Sequence, residues 1–130
     1  MKMLLALIAL MPLSSFAYEY GECRLTASHY IQKSILDYSY ILTHTETLDS
    51  NWVELKNSDV TLKGNTNPAH YSATFSLDGS ISGTLALNMD QPGAKATAVV
   101  GHNDELRLSV QHVYNSGKTV YKLYCSLDKQ

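Results

Sequence analysis

No catalytic signature occurs anywhere in the chain. There is no G-x-S-x-G elbow, no H-E-x-x-H helix, no glycine-rich phosphate loop and no C-x-x-C pair. Basic residues stand singly rather than in a stripe, which argues against nucleic acid as a partner. The N-x-Ser/Thr glycosylation acceptor is absent, as expected of a bacterial periplasm rather than a glycosylating pathway. Repeats, linkers and low-complexity stretches are also missing. Only two cysteines are present, Cys23 and Cys125, so one internal disulfide is available. Beyond the first residues, no apolar run is long enough to cross a membrane as a helix.

Those first residues are different. Lys2 precedes a nearly pure apolar run over residues 4–13, and small residues stand at Ser15 and Ala17. A basic start, a short apolar core and an A-x-A-like end form a cleavable export signal over residues 1–17. The run is too short for a spanning helix, which needs about 20 apolar residues, and it contains Pro12. Removing 17 of 130 residues leaves a mature chain of 113, residues 18–130, enough for one domain with one core. Nine Lys plus Arg then face twelve Asp plus Glu, a formal charge of −3. An exported location, periplasmic or extracellular, lets a Cys23–Cys125 disulfide persist.

The dominant period along the mature chain is two. Tyr71, Ala73, Phe75 and Leu77 alternate with His70, Ser72, Thr74 and Ser76. Ile81, Gly83, Leu85, Leu87 and Met89 do the same, as do Leu106, Leu108, Val110, His112 and Tyr114. Such alternation predicts half-buried antiparallel strands. Turn residues punctuate it. Asp78-Gly79 favours a type I′ hairpin turn. Asp90, Gln91, Pro92 and Gly93 suit a type II turn. The polar stretches 101–104, 115–117 and 64–69 read as further turns and a loop.

Eight strands result, at 22–28, 35–45, 52–63, 70–77, 80–89, 94–100, 105–114 and 118–126. The third carries a bulge or break near Asn57-Ser58. A short helix within 27–38 is the alternative there, because Ile31, Ile35 and Tyr38 also fit a helical face. By parity Cys23 shares a face with Leu25 and Ala27, and Cys125 with Tyr121 and Leu123. Bridging them requires the first and last strands to meet. The expected fold is all-β: a small closed or nearly closed up-and-down barrel, with a two-sheet sandwich as the alternative. An outer-membrane barrel is disfavoured, because the outward positions are rich in Ser, Thr and Lys and the chain ends without an aromatic residue.

Candidate functional residues fall into two groups. Parity places His44 inward with Tyr38, Tyr40 and Leu42, and His112 inward with Leu108, Val110 and Tyr114. Inward histidines need hydrogen-bond partners, or else they line a ligand site inside the barrel. Of the nine tyrosines, Tyr38, Tyr40, Tyr71, Tyr114 and Tyr121 are expected in the core. Tyr30, Tyr124 and Trp52 are expected to face outward, where aromatic rings suit recognition. No two histidines share the i, i+2 spacing of a strand-borne ligand pair, and His102 lies in an ordinary polar turn. No metal or cofactor is therefore expected.

In size, compartment and inferred architecture the chain is similar to small periplasmic β-barrel inhibitors of lysozyme. The Ser-Gly loop pattern of those inhibitors is not found here, so no functional residue carries over. The expectation is a non-catalytic binding module that recognises a protein or cell-envelope component, inhibition of a hydrolase being one form. The alternatives are a small-ligand carrier with an interior site near His44 and His112, and an enzyme whose groups meet only in the fold.

Overall fold

The computed structural model describes residues 19–34, 36, 39–88, 95–100 and 105–128, with 95–100 described as backbone only. The segment expected to be an export signal, the turns expected at 90–93 and 101–104, and Tyr38 lie outside the described residues. Eight strands follow in order: β1 (Tyr20–Gln32), β2 (Tyr40–Glu54), β3 (Val60–Asn65), β4 (Ala69–Phe75), β5 (Ile81–Leu87), β6 (Lys95–Val100), β7 (Leu106–Tyr114) and β8 (Gly117–Asp128). The described residues contain no helix. The helix weighed for 27–38 is replaced over 27–32 by strand, because β1 is hydrogen-bonded on both sides, to β2 and to β8.

The strands form two antiparallel four-stranded sheets, ordered β2-β1-β8-β7 and β3-β4-β5-β6. The barrel is not closed, and the sandwich describes the molecule. The strands keep the neighbour order of a meander, but two junctions lack a hydrogen-bond ladder. One is β2 to β3, where the chain leaves one sheet at Glu54 and enters the other at Val60. The interruption expected near Asn57-Ser58 is there, but residues 46–54, expected as a connection and the start of the third strand, instead extend β2, because they pair with β1. The other is β6 to β7, which were expected to pair and instead only lie near each other.

The first and last strands meet as the disulfide required. Cys23 and Cys125 are direct partners in the β1–β8 ladder and are bridged, 2% and 0% exposed. Around them, Leu25, Leu106 and Leu123 from one sheet pack on Phe75, Ile81 and Leu85 from the other, all essentially without solvent contact. Each such side chain contributes about 1.5–3 kcal/mol on burial. The sheets approach closely where Gly21 faces Phe75. A Cβ there would lie 2.7–2.8 Å from three atoms of the Phe75 ring, so only glycine fits.

Local turn chemistry differs from expectation at Asp78-Gly79. A type I′ turn needs positive φ at both central residues. Among the described residues near this hairpin only Gly79 has it, at 93°. The Gly79 amide donates to the Ser76 carbonyl at 2.9 Å, and the Ser80 amide donates to Asp78 Oδ1 at 2.9 Å. The Asp78 carboxylate thus organises the loop, and the single left-handed residue follows the turn instead of forming its centre.

Candidate functional site

Directly opposed residues of antiparallel strands project to the same face, so the register of the β2-β1-β8-β7 sheet sorts its side chains into cross-strand rows. On the outer face, Trp52 stands opposite Glu22, and Glu22 opposite Ser126. The next row is Ser50, Arg24, Tyr124 and Arg107, and the one after it Thr47, Thr26, Lys122 and Ser109. The Tyr20 ring meets the Trp52 indole edge-on, with centroids 5.5 Å apart. Three aromatic residues, two arginines and a lysine therefore lie contiguously across four strands.

Charge on this face is structured. Arg107 Nη2 donates to Glu105 Oε2 at 2.7 Å, and the guanidinium lies 5.3 Å from the centre of the Tyr124 ring. Hydrogen bonding from the Tyr124 hydroxyl, then from Arg107, holds the Glu105 carboxyl below its ordinary range. The same bond to Glu105 raises the Tyr124 phenol. Arg24, Thr26, Arg107, Ser109, Lys122 and Tyr124 line a shallow groove of about 450 Å³. A second depression of about 310 Å³, between Tyr20, Glu22, Trp52 and Asp128, continues it toward the tryptophan. Further along the face, the Lys118 ammonium lies 4.4 Å from the Tyr40 ring centre and 5.4 Å from that of Tyr30.

The inner face carries a polar rim at the opposite end from Gly21. One row there reads His44, His29, Thr119, His112. The His29 and His44 rings stack with centroids 4.5 Å apart at 22°. His29 Nε2 is 2.9 Å from Glu46 Oε2, and His44 Nε2 is 3.6 Å from the same oxygen. His29, His44 and Glu46 each offer a metal-ligand atom, all within 4.8 Å of one another.

The candidates named from sequence divide accordingly. Trp52 is outward and 64% exposed. Tyr30 and Tyr124 are outward and half-buried. His112 is half-buried on the inner face, its ring 5.5 Å from that of Tyr114. His44 is on the inner face by register, but it is not in a core, since its side chain is 61% exposed. Tyr40 and Leu42 do not share its face as parity predicted. The ladder slips between His29 and Tyr30, leaving Thr43 unpaired, and one extra residue reverses the faces beyond it. Tyr71 and Tyr121 are core residues as expected, whereas Tyr114 is 41% exposed at the rim. Two residues of the rim were missed, His29 and Glu46. Both were legible: Cys23, Leu25 and Ala27 lead by alternation to His29, and Glu46 stands two residues after His44 on one strand. The i, i+2 signal here pairs a histidine with a glutamate rather than two histidines. His102 lies outside the described residues.

No protein-family model, curated protein or solved structure matches this chain.

Proposed function

We propose that the mature protein is an exported, non-catalytic binding module of the bacterial envelope, and that it binds a protein partner through the outer face of the β2-β1-β8-β7 sheet. The carrying observation is the contiguity of Trp52, Tyr20, Arg24, Tyr124, Arg107 and Lys122 on that face. Tryptophan, tyrosine and arginine dominate the energetic centres of protein interfaces. The shallow groove offers concavity to an inserted side chain, and its Arg24 and Lys122 favour a partner that presents carboxylates there. Inhibition of a hydrolase is one form such binding takes. A carrier with an interior site near His44 and His112 has less support, since the His44 side chain is 61% exposed at an open rim. Export to an oxidising compartment accords with the Cys23–Cys125 bridge.

The test is affinity capture from envelope extract with the oxidised mature protein, run beside Trp52→Ala and Arg107→Glu. A protein held by the wild type and lost by both variants supports the reading. Capture unaffected by either change removes this face as the site. Intact mass of the exported protein tests the first clause, with a chain beginning at or near Tyr18 as the expected product.

A further inference from the structure

We propose that His29, His44 and Glu46 form a binding site for a divalent transition-metal ion of the zinc class, a role independent of the outer-face reading. The β1–β2 register places His29 opposite His44 and Ala27 opposite Glu46, so all three ligands project from one face of a two-stranded ladder. One carboxylate oxygen, Glu46 Oε2, stands 2.9 Å from His29 Nε2 and 3.6 Å from His44 Nε2. Zinc takes imidazole nitrogen and carboxylate oxygen at about 2.0–2.2 Å, which in tetrahedral geometry puts ligand atoms roughly 3.3 Å apart. The two observed separations bracket that spacing. All three ligand atoms lie within 4.8 Å of one another, so an ion seated among them draws them together by side-chain rotation.

The surrounding hydroxyls prepare the ring nitrogens. The Thr43 hydroxyl donates its single proton to the His29 carbonyl at 2.9 Å. At its 3.1 Å contact with His44 Nδ1 it can therefore only accept, so Nδ1 carries the proton and Nε2 presents a lone pair. His29 Nδ1 lies 3.2 Å from Thr119 Oγ1, and that oxygen lies 3.3 Å from the Tyr114 hydroxyl. Thr119 accepts from His29 Nδ1 once Nε2 gives up its proton to bind metal, and it donates to Nδ1 otherwise. Metal-binding histidines characteristically have their second nitrogen held in this way. β1 is hydrogen-bonded on both sides, which fixes the His29 backbone. His44 and Glu46 are 61% and 49% exposed, so the ion is accessible and keeps a position for water or for a donor from another molecule. Two imidazoles and one carboxylate suit Zn²⁺, with Cu²⁺ and Ni²⁺ as chemical competitors. Both cysteines are bridged and do not compete as ligands.

The experiment is calorimetric titration of the oxidised, mature, untagged protein with zinc chloride, followed by imidazole proton–nitrogen correlation spectra. One ion per chain is expected, with the His29 and His44 resonances shifted. His29→Ala and His44→Ala should each weaken binding by at least about tenfold, and Glu46→Gln by about tenfold. His112→Ala and His70→Ala should bind as the wild type does. Melting of each variant in metal-free buffer guards against misfolding, and His44→Gln serves if His44→Ala fails to fold. Absence of one-to-one binding overturns the proposal, as does zinc affinity that survives both histidine changes. Neither result bears on partner capture by the outer face.

Discussion

His44 and His112 stand at the two edge strands of one sheet, on a single cross-strand row, with His29 and Thr119 between them. They share a face but lie at an open rim. His112 is half-buried against the Tyr114 ring, 5.5 Å between centroids. Replacing a half-buried polar ring by an apolar side chain removes a desolvation cost. His112→Leu should therefore melt at or above the wild-type temperature and leave binding of a protein partner unchanged. Calorimetric melting beside a binding measurement checks both. Loss of binding with an unchanged melt would move the functional site from the outer face to the inner rim.

The outer-face aromatics should behave oppositely. Trp52 is 64% exposed, and its ring contact is with Tyr20. Trp52→Ala should weaken a partner complex by about 2 kcal/mol or more, the usual cost at an energetic centre of an interface, and barely move the melting temperature. Tyr124→Ala should also weaken the complex while releasing Glu105 from its phenol hydrogen bond. Surface-plasmon measurements with the captured partner decide between this and a face that makes no contact.

The Cys23–Cys125 bridge spans 102 residues of sequence. Closing a loop of that order contributes about 4–5 kcal/mol in the chain-entropy account, and losing a native bridge from a small secreted domain costs about 2–5 kcal/mol. Cys125→Ser should lose stability in that range in denaturant titrations while keeping its strand pairing, because β1 and β8 are joined by a continuous ladder from Tyr20 to Ile31. Thiol labelling of the denatured, unreduced wild type at both cysteines would refute the bridge itself.

Alkaline pH should find Tyr71. It is 3% exposed, accepts a hydrogen bond from Asn51 Nδ2 at 3.0 Å and donates to Asp49 Oδ2 at 3.4 Å. Burial, and secondarily the Asp49 charge, raise its phenol above the ordinary value of 10.0, against the opposing effect of the Asn51 bond. A group whose folded pKa is raised contributes stability that is complete below the unfolded pKa, and this is lost as pH rises through the folded one. Stability should hold up to about pH 10 and then decline. Burial also raises Tyr121, so both phenols contribute. Tyr71→Phe should shallow the alkaline decline while costing about 1 kcal/mol near neutrality through its lost hydrogen bonds. An unchanged alkaline slope would show that Tyr71 does not contribute to it.

Much of the fold was local information. Alternation is a property of neighbouring residues, so Tyr71, Ala73 and Phe75, or Leu106, Leu108 and Val110, announce strands and their buried faces without reference to the rest of the chain. The same parity put Cys23 and Cys125 inward, and their bridge required the chain ends to meet. Sequence alone thus determined the fold class, the number of strands and the pairing of β1 with β8, but not the bounds of β2 and β3, since residues 46–54 continue β2. Closure was decided only in three dimensions. Whether β2 pairs with β3, or β6 with β7, depends on how twisted sheets stack, and no local pattern encodes it. The faces of β2 were also decided there. Its two register shifts, beside Leu25 and beside His29, each reverse parity, and they leave little trace in a strand whose positions from Ile41 to Thr47 are all exposed. Where neither face is buried, hydrophobic alternation cannot specify register. The ladder to β1 specifies it instead, and that ladder brings His29 to His44 and Glu46 from a strand 15 residues away in sequence.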